Sequence, residues 1–422
     1  MALTGGWLPF GPRRSARSMC GGGCSMVADT GYAVRSDKPT LGIAAAWLLV
    51  MVGTLVHVMT RPFDWSLDLR VYRNGGGAWL EGLPIYVDHF GSSMGGPDLP
   101  FTYPPVAVVL FSPLAAVPLP VAIFAVALVN LVALTVLCLI AARRVCGPGP
   151  LAIRYGLGAA AVSSFFDPVR ETLAFGQINL LLAVLVLLDC LLARTRVPRG
   201  TLIGLAAAIK LTPAVFVLFF LAAKQWRPAV TAFVSFLVFG ALGFLIMPSD
   251  AREFWFHALL DPGRVGRLTY TANQSLRGVV ARLGLDGTPQ VAVWVLLSLL
   301  VVGLALVATV KARHAGDDLA AFLVVAVAGL LVSPVSWGHH WIWIAPALTL
   351  FAVPALRHAR KFWAFAVPGV LIFLIGPHWL FPNDNDVERN WEWWQQVIGN
   401  AYVWFGLAVV VALAVARRPR AV

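Results

Sequence analysis

Four ionisable residues of this 422-residue chain lie beside or inside apolar segments, where they could perform chemistry. Asp68 follows the first apolar run, and a partly desolvated carboxylate there could act as a general base toward a hydroxyl group. Lys210 lies inside an apolar run, where an ammonium could bind a phosphate as a point charge. His339 and His340 are adjacent between two apolar runs, and one imidazole could donate a hydrogen bond to a phosphate oxygen.

Each of these residues also has a purely structural interpretation. Asp68 could be a solvated loop acid or pair with Arg70 or Arg73, and Lys210 could reach a membrane interface or form an ion pair. The two histidines could belong to the belt of amphipathic residues at a membrane surface. Because adjacent helical residues point about 100° apart, these histidines are also poorly placed to bind one metal ion together.

Amide and aromatic side chains accompany the ionisable ones. Gln177 and Asn179 begin an apolar run, where their amides could hydrogen-bond a sugar or equally cap a helix. Trp337 precedes the two histidines and could pack against a sugar face. Residues 273–275 have the form of a glycosylation sequon, which is a weak signal. The residues therefore permit sugar binding without requiring it.

The composition decides the class of protein. The chain is 59% hydrophobic and only 12% charged, and its mean hydropathy is +0.79, whereas soluble domains carry about 25% charged residues. This composition predicts a polytopic membrane protein, and it excludes a soluble enzyme, a nucleic-acid-binding protein and a disordered scaffold. The net charge of +12 is then typical of basic cytoplasmic loops. The five cysteines are odd in number and predict no disulfide framework.

Continuous apolar runs, without the alternation of a β-barrel, predict helical spans. The first run is 41–59, a polar stretch follows at 60–103, and the later runs continue to 416. Counted as spans of about 20 residues, they predict roughly 10–12 transmembrane helices. Several prolines in 104–142, and Lys210 with Pro213 in 201–223, predict broken or re-entrant pieces.

The chain therefore divides into three parts. We expect an N-terminal tail at 1–40, a transmembrane domain at 41–416 and a C-terminal tail at 417–422. The positive-inside rule places both tails in the cytoplasm, together with the basic clusters that flank the spans. The opposite face then receives long loops that contain most of the acids. No internal repeat or pore-lining repeat is visible, so the pattern favours an enzyme at the outer membrane surface over a transporter or channel.

Several short segments, taken in order, resemble one family. They are 68–72 (DLRVY), 84–86 (PIY) and 101–105 (FTYPP), then 176–179 (GQIN), 210–213 (KLTP), 273–276 (NQSL) and 333–340 (SPVSWGHH). Together, across 41–416, they resemble the actinobacterial GT-C mannosyltransferases that use polyprenyl-phosphate mannose. The likeness is to the α-1,2-mannosyltransferases of phosphatidylinositol mannoside and lipomannan assembly.

The resemblance implies a fold and an activity. The expected fold is an all-α polytopic membrane protein of the GT-C type in the plasma membrane, with its active site in periplasmic loops. The expected reaction transfers mannose from polyprenyl-phosphate mannose to a phosphatidylinositol mannoside-type glycolipid, with inversion and an α-1,2 linkage. No nucleic acid, cofactor or metal is expected. Polyprenyl phosphate is already a good leaving group, so no second carboxylic acid is needed, in contrast to an inverting glycosidase.

The resemblance also assigns roles to residues. Asp68 matches the position of the general base in the first outer loop. The candidates for binding the donor phosphate are His339, His340, Lys210 and Arg70. The candidates for binding the sugar or the acceptor are Tyr72, Tyr103, Gln177, Asn179, Asn273 and Trp337.

Other activities stay open at this stage. A lipomannan-branching mannosyltransferase, an arabinosyltransferase or another polyprenyl-phosphate-sugar transferase would share these features. A flippase or transporter for lipid-linked sugars is the alternative from another class, and a non-catalytic membrane scaffold is a third. The loops at 248–289 and 382–396 are expected to select the acceptor.

Overall fold

The computed structural model describes residues 38–62, 65–192 and 194–416. Over these residues the chain is helical, and the only extended pairing described is an isolated antiparallel bridge between Asn273 and Trp337. The expected N-terminal tail lies outside the described residues except for its last three positions, which already belong to the first helix. The expected C-terminal tail, 417–422, lies wholly outside them.

The helices are of very unequal length. In the first half they are α1 (Lys38–Thr60), α2 (Leu67–Leu80), α3 (Phe90–Ser93), α4 (Pro105–Ala115), α5 (Leu119–Cys146), α6 (Pro150–Ser163), α7 (Asp167–Phe175), α8 (Asn179–Leu191), α9 (Thr201–Ile209) and α10 (Val217–Leu221). In the second half they are α11 (Trp226–Ile246), α12 (Pro248–Phe256), α13 (Leu276–Arg282), α14 (Gly287–His314), α15 (Asp318–Val332), α16 (Ile344–Ala347), α17 (Pro354–Arg357), α18 (Arg360–Ile375), α19 (Trp393–Gly399) and α20 (Ala401–Val415). Short 3-10 helices connect several of them, including Thr212–Phe216, Gly338–His340 and Pro377–Leu380.

Four helices of the described residues, α1, α5, α11 and α14, are long and apolar enough to cross a membrane. The count rises to six if the bent pairs α7–α8 and α19–α20 each form one span. The all-α polytopic fold is thus confirmed, while this count is lower than the expected 10–12. The expectation treated each apolar run as one helix, whereas breaks divide several runs into shorter apolar helices, such as α4 and α15, that this count leaves out.

The long helices differ in how much of their surface the protein itself covers. Half of the most apolar window of α5 is buried, but only 17% of that of α11 and of α14, and 11% of that of α1. α5 packs against α6 and α8, and α14 packs against α15 and α20. α5 is therefore a central helix, and the apolar faces of the other three are suited to contact lipid.

Two glycines bring the elements of the site together. Gly76 lets α2 approach α4 closely, because a Cβ there would lie 2.7 Å from the Ser112 Cα. Gly176 ends α7 with a φ of 70°, a left-handed conformation that glycine adopts readily. The chain turns by 117° between α7 and α8, and a Cβ on Gly176 would lie 2.7 Å from the Leu69 Cβ. The break therefore lies directly against α2.

The predicted break around Lys210 is confirmed. α9 ends at Ile209, Lys210 adopts an extended conformation, and a 3-10 helix begins at Thr212 with Pro213 in its first turn. Proline lacks the amide that would continue the α-helical hydrogen bonds. The lysine is thus at a break in the helix rather than in the middle of a continuous span.

Candidate active site

Asp68 lies in the first turn of α2 and is half-buried beside the break between α7 and α8. The Gln177 side chain hydrogen-bonds to Asp68. The hydroxyls of Tyr72 and Tyr103 donate to Gln177 Oε1 at 2.9 Å and 3.2 Å, and Asn130 Nδ2 donates to the Gln177 carbonyl at 2.8 Å. These contacts fix the Gln177 amide with its oxygen toward the tyrosines and its NH2 group available to the carboxylate.

Burial raises the pKa of Asp68 to about 6, although the Lys210 charge and the hydrogen bond from Gln177 both act to lower it. A carboxylate with a pKa near the working pH is both largely deprotonated and basic enough to accept a proton. The environment of Asp68 therefore suits a general base better than the solvated loop acid that the sequence left open.

Lys210 lies close to three polar groups contributed by three segments. Its Nζ donates to Asn179 Oδ1 at 3.1 Å and to the Tyr103 hydroxyl at 3.4 Å, and it lies 3.3 Å from His340 Nε2. The Tyr103 ring also lies 5.3 Å from the ammonium, within the range of a cation–π interaction. We call Asp68, Tyr103, Gln177, Lys210 and His340 the Asp68 cluster.

The hydrogen bonds of His340 leave a place for an anion. His340 Nδ1 accepts the Trp337 amide hydrogen at 3.2 Å, so in a neutral ring the proton is on Nε2. Burial, followed by the Lys210 charge, lowers the pKa of His340 well below its usual range, which favours that neutral form. Nε2 and the Lys210 ammonium are then two adjacent donors that cannot satisfy each other. A phosphate oxygen would accept from both.

His339 is held through its backbone. Its carbonyl accepts from Thr172 Oγ1 at 3.1 Å and from Asn179 Nδ2 at 3.2 Å, while its ring is buried against Phe175. Its Nδ1 lies 3.9 Å from Glu171 Oε2. His339 therefore faces α7, whereas His340 faces Lys210, and only His340 joins the predicted donor-phosphate group directly.

Three other predicted residues lie apart from the Asp68 cluster. The Asn273 side chain is buried and bonds to the backbone, accepting from the Ser336 amide at 3.0 Å and donating to the Leu268 carbonyl at 3.0 Å. Trp337 is half-buried, and its ring packs 6.1 Å from that of Tyr270. Arg70 follows Asp68 by two residues on α2, so its side chain leaves the helix about 200° away from Asp68.

The structure also brings together residues to which the sequence analysis assigned no role. Asp167 and Glu171 lie in α7, and His378 lies in the 3-10 helix Pro377–Leu380; their possible ligand atoms are all within 4.8 Å of one another. We call these three residues the Asp167 cluster. Acids four residues apart share a helix face, and that spacing just before Gly176 could have indicated the pair. Nothing local indicates His378, because it follows α18 and is far from α7 in the sequence.

The arrangement can activate a hydroxyl and bind a phosphate within one connected group of side chains. Gln177 contacts the Asp68 carboxylate and accepts a hydrogen bond from Tyr103. The Tyr103 hydroxyl in turn accepts from Lys210, which lies beside His340 Nε2. A helical membrane body with a half-buried carboxylate beside an adjacent lysine and histidine is suited to an integral membrane group-transfer enzyme. Comparisons with known proteins identify the family.

Residues 101–334 match the model of Glycosyltransferase family 87, and the chain belongs to this family. It is similar to a polyprenol-phosphate-mannose-dependent alpha-(1-2)-phosphatidylinositol mannoside mannosyltransferase of Mycobacterium tuberculosis, with 38% identity over 86% of this chain and 88% of the relative. It is also similar to an alpha-(1-2)-phosphatidylinositol pentamannoside mannosyltransferase of Mycolicibacterium smegmatis with the same donor, with 33% identity over 82% of each chain.

Among solved structures, the chain is similar to that of ArnT from Cupriavidus metallidurans in the apo state. The TM-score is 0.42 at 16% sequence identity, and the match covers 89% of this chain and 78% of that chain. The family membership confirms the glycosyltransferase that the ordered motifs indicated. It excludes the non-catalytic scaffold, and it makes a flippase the weaker explanation of the same residues.

Proposed function

We propose that this protein transfers a mannosyl group from polyprenol-phosphate mannose to a hydroxyl of a phosphatidylinositol mannoside and forms an α-1,2 linkage. The donor and the linkage are those named for the mycobacterial relatives at 38% and 33% identity. The observation that carries the mechanism is the hydrogen-bonded connection from Asp68 through Gln177 and Tyr103 to Lys210, with His340 Nε2 lying 3.3 Å from the Lys210 ammonium.

The reaction follows from the charges of this cluster. Asp68 accepts the proton of the acceptor hydroxyl while the oxygen attacks the anomeric carbon and the bond from that carbon to the phosphate oxygen breaks. The departing polyprenyl phosphate gains negative charge, which Lys210 and the Nε2–H of His340 stabilise. Attack opposite the leaving group inverts the anomeric centre, so a β-linked donor yields an α-mannoside. This step needs neither a cofactor nor a Lewis acid at the reacting atoms.

We place this site on the periplasmic face, with both termini in the cytoplasm. Arg144 and Arg313 form ion pairs with Asp318, where α15 begins, and α15 ends at Val332, shortly before His339. A 15-residue helix spans roughly 22 Å, so the basic residues and the site lie toward opposite faces of the protein. Basic flanks stay in the cytoplasm, which supports an outward-facing site.

The acceptor has two candidates because the relatives differ in it. One relative acts on a phosphatidylinositol mannoside and another on a phosphatidylinositol pentamannoside. The higher identity is with the first, so a phosphatidylinositol mannoside is the acceptor we propose and the pentamannoside is the second candidate. Assays that supply each glycolipid separately distinguish them.

Replacement of Asp68 by Asn tests the proposal. General-base catalysis contributes about 10²–10⁴-fold to a rate, so Asp68→Asn should lower mannosyl transfer by that factor while donor binding persists. The measurement is the rate of product formation in membranes supplied with polyprenol-phosphate mannose and phosphatidylinositol mannoside, with the linkage read by α-1,2-mannosidase digestion.

Asp98→Asn is the matched control, because Asp98 lies in the same outer segment but is exposed beside His89. This control should keep normal transfer. A near-normal rate for Asp68→Asn would remove Asp68 from the mechanism. Donor movement across the bilayer without any mannosylated product would favour the flippase instead.

A further inference from the structure

The Asp167 cluster combines buried charge with unpaired ligand atoms. The side chain of His378 is 0% exposed and that of Asp167 is 5% exposed, while that of Glu171 is 13% exposed. Arg170 lies 3.5 Å from Asp167 Oδ1 and is half-exposed. Two buried carboxyl groups thus face one arginine, and an uncompensated buried charge is costly, so either a proton or a further cation must balance them.

Trp379 hydrogen-bonds to both carboxyl groups, but hydrogen bonding within the described residues leaves several atoms of the cluster without a partner. Asp167 Oδ2 accepts from the Tyr402 hydroxyl at 3.0 Å, but Glu171 Oε2 and both ring nitrogens of His378 have no hydrogen-bond partner. His378 Nε2 lies 3.7 Å from Asp167 Oδ2, which is too long for a hydrogen bond. Buried polar atoms of this kind are rare without a ligand or water.

Two glycines pack directly against the atoms of this cluster. A Cβ on Gly338 would lie 3.0 Å from Glu171 Oε2 and 3.1 Å from His378 Nε2. A Cβ on Gly376 would lie 2.8 Å from the Asp167 carboxyl carbon. A larger residue at 338 or 376 would therefore crowd the donor atoms of the cluster.

We propose that Asp167, Glu171 and His378 bind a divalent transition-metal cation, with Mn²⁺ and Zn²⁺ as the ions of matching chemistry. Two carboxylates and one imidazole form a mixed oxygen and nitrogen ligand set that both ions accept. Metal–ligand bonds of about 2.0–2.2 Å place donors at most roughly 4.4 Å apart. At tetrahedral or octahedral angles neighbouring donors are roughly 3–3.6 Å apart, so atoms that lie within 4.8 Å of one another must draw together by roughly 1 Å on binding.

The cation has a positioning role. It joins α7 to the 3-10 helix Pro377–Leu380 and lies beside Gly338, which begins the 3-10 helix that carries His339 and His340. It does not touch the reacting atoms, so the transfer step keeps its proposed form. No metal was expected from the sequence, because nothing in it pairs His378 with α7.

The test measures metal binding by the full-length protein in detergent micelles or nanodiscs. After chelation and dialysis against Mn²⁺ or Zn²⁺, elemental analysis should find one bound ion per chain, and that ion should raise the melting temperature. Electron spin echo spectroscopy of the Mn²⁺ form should show coupling to one imidazole nitrogen. This readout does not depend on transfer activity, so it can fail while the proposed function stands.

The variants make the result specific to this cluster. His378→Ala and Glu171→Gln should each weaken Mn²⁺ binding at least about a hundredfold. Replacing even a residue that only hydrogen-bonds to a metal ligand lowers metal affinity about 10–100-fold. His257→Ala is the matched control and should bind normally, since His257 pairs with Glu253 at 3.2 Å on an exposed surface. His378→Gln, which preserves more of the side-chain volume, replaces His378→Ala if the latter does not fold.

Two results would overturn the proposal. One is metal content no higher in the wild-type protein than in His378→Gln. The other is a melting temperature that rises with methyl α-mannoside but not with Mn²⁺ or Zn²⁺, which would assign these carboxylates to sugar hydroxyls.

Discussion

Two polar clusters lie on either side of α7 and its break, and they differ in how completely the protein satisfies them. In the Asp68 cluster, Gln177, Tyr103 and Lys210 all have partners in neighbouring elements. In the Asp167 cluster, Glu171 Oε2 and both nitrogens of His378 have none among the described residues. The first cluster is organised before any substrate arrives, whereas the second is complete only with a ligand.

The break between α7 and α8 positions residues of both clusters. Gln177 lies in the break and faces α2, while Glu171 lies one turn earlier in α7 and faces the loops after α15 and α18. Preorganised donors near developing charge are the main source of electrostatic catalysis. The Asp68 cluster therefore suits chemistry, and the Asp167 cluster suits positioning of the segment that carries the histidines.

The strongest test of this contrast removes the phosphate-binding pair. Lys210→Met should lower mannosyl transfer about 10²–10³-fold, the range for losing one preorganised donor at an oxyanion. His340→Ala should have a smaller effect, and the double variant should fall short of the product of the two, because both groups act on the same phosphate. Steady-state rates at varied polyprenol-phosphate mannose measure this.

Lys224→Met controls for the loss of a lysine, since Lys224 lies at the opposite end of the segment that follows Lys210. It should transfer normally. Fully multiplicative effects of Lys210→Met and His340→Ala would indicate that the two side chains do not share a ligand.

A second test separates positioning from sugar contact at Asn273. Because its side chain bonds to backbone groups at 268 and 336, Asn273→Ala should destabilise the protein by about 1–3 kcal/mol, as for other unsatisfied buried groups. Thermal unfolding measures this effect. Asn383→Ala, which loses a single local bond to the Phe381 carbonyl, should change the melting temperature less. An unchanged melting temperature with a raised KM for the acceptor would indicate instead that Asn273 contacts the sugar.

The smallest expected effect is a shift in pH dependence. Asp68 acts as a base only when deprotonated, and its pKa is raised to about 6, so kcat/KM should fall as the pH drops through about 6. Gln177→Leu removes a hydrogen bond that lowers this pKa, so the fall should begin at higher pH in that variant. The measurement is kcat/KM between pH 5 and 8.

Val184→Ala is a conservative control on the adjacent helix α8, and its pH profile should match that of the wild-type protein. If kcat/KM of Gln177→Leu falls at the same pH as that of the wild-type protein, the group whose protonation causes the fall is not Asp68 hydrogen-bonded to Gln177.

The residues of the Asp68 cluster were all candidates from the sequence, because an ionisable or amide group beside a long apolar run is conspicuous. The break at Lys210 was also predicted, since a lysine and a proline interrupt an otherwise apolar segment. The number of spanning helices was harder to predict, because hydropathy records that a run is apolar but not where it bends. Sugar binding by Asn273 stays a prediction, and the structure adds that its amide bonds to the backbone of a segment 63 residues away in the chain, which the sequence could not indicate.

Composition and local order alone determined that this chain is a helical membrane protein with a carboxylate outside its first span, because both depend on residues close together in the sequence. Only the tertiary structure decided that Asp68 is connected to Lys210 and His340, and that His378 faces Asp167 and Glu171. These groups are separated by more than 130 residues, and burial changes the proton affinity of Asp68 only once the surrounding helices have packed.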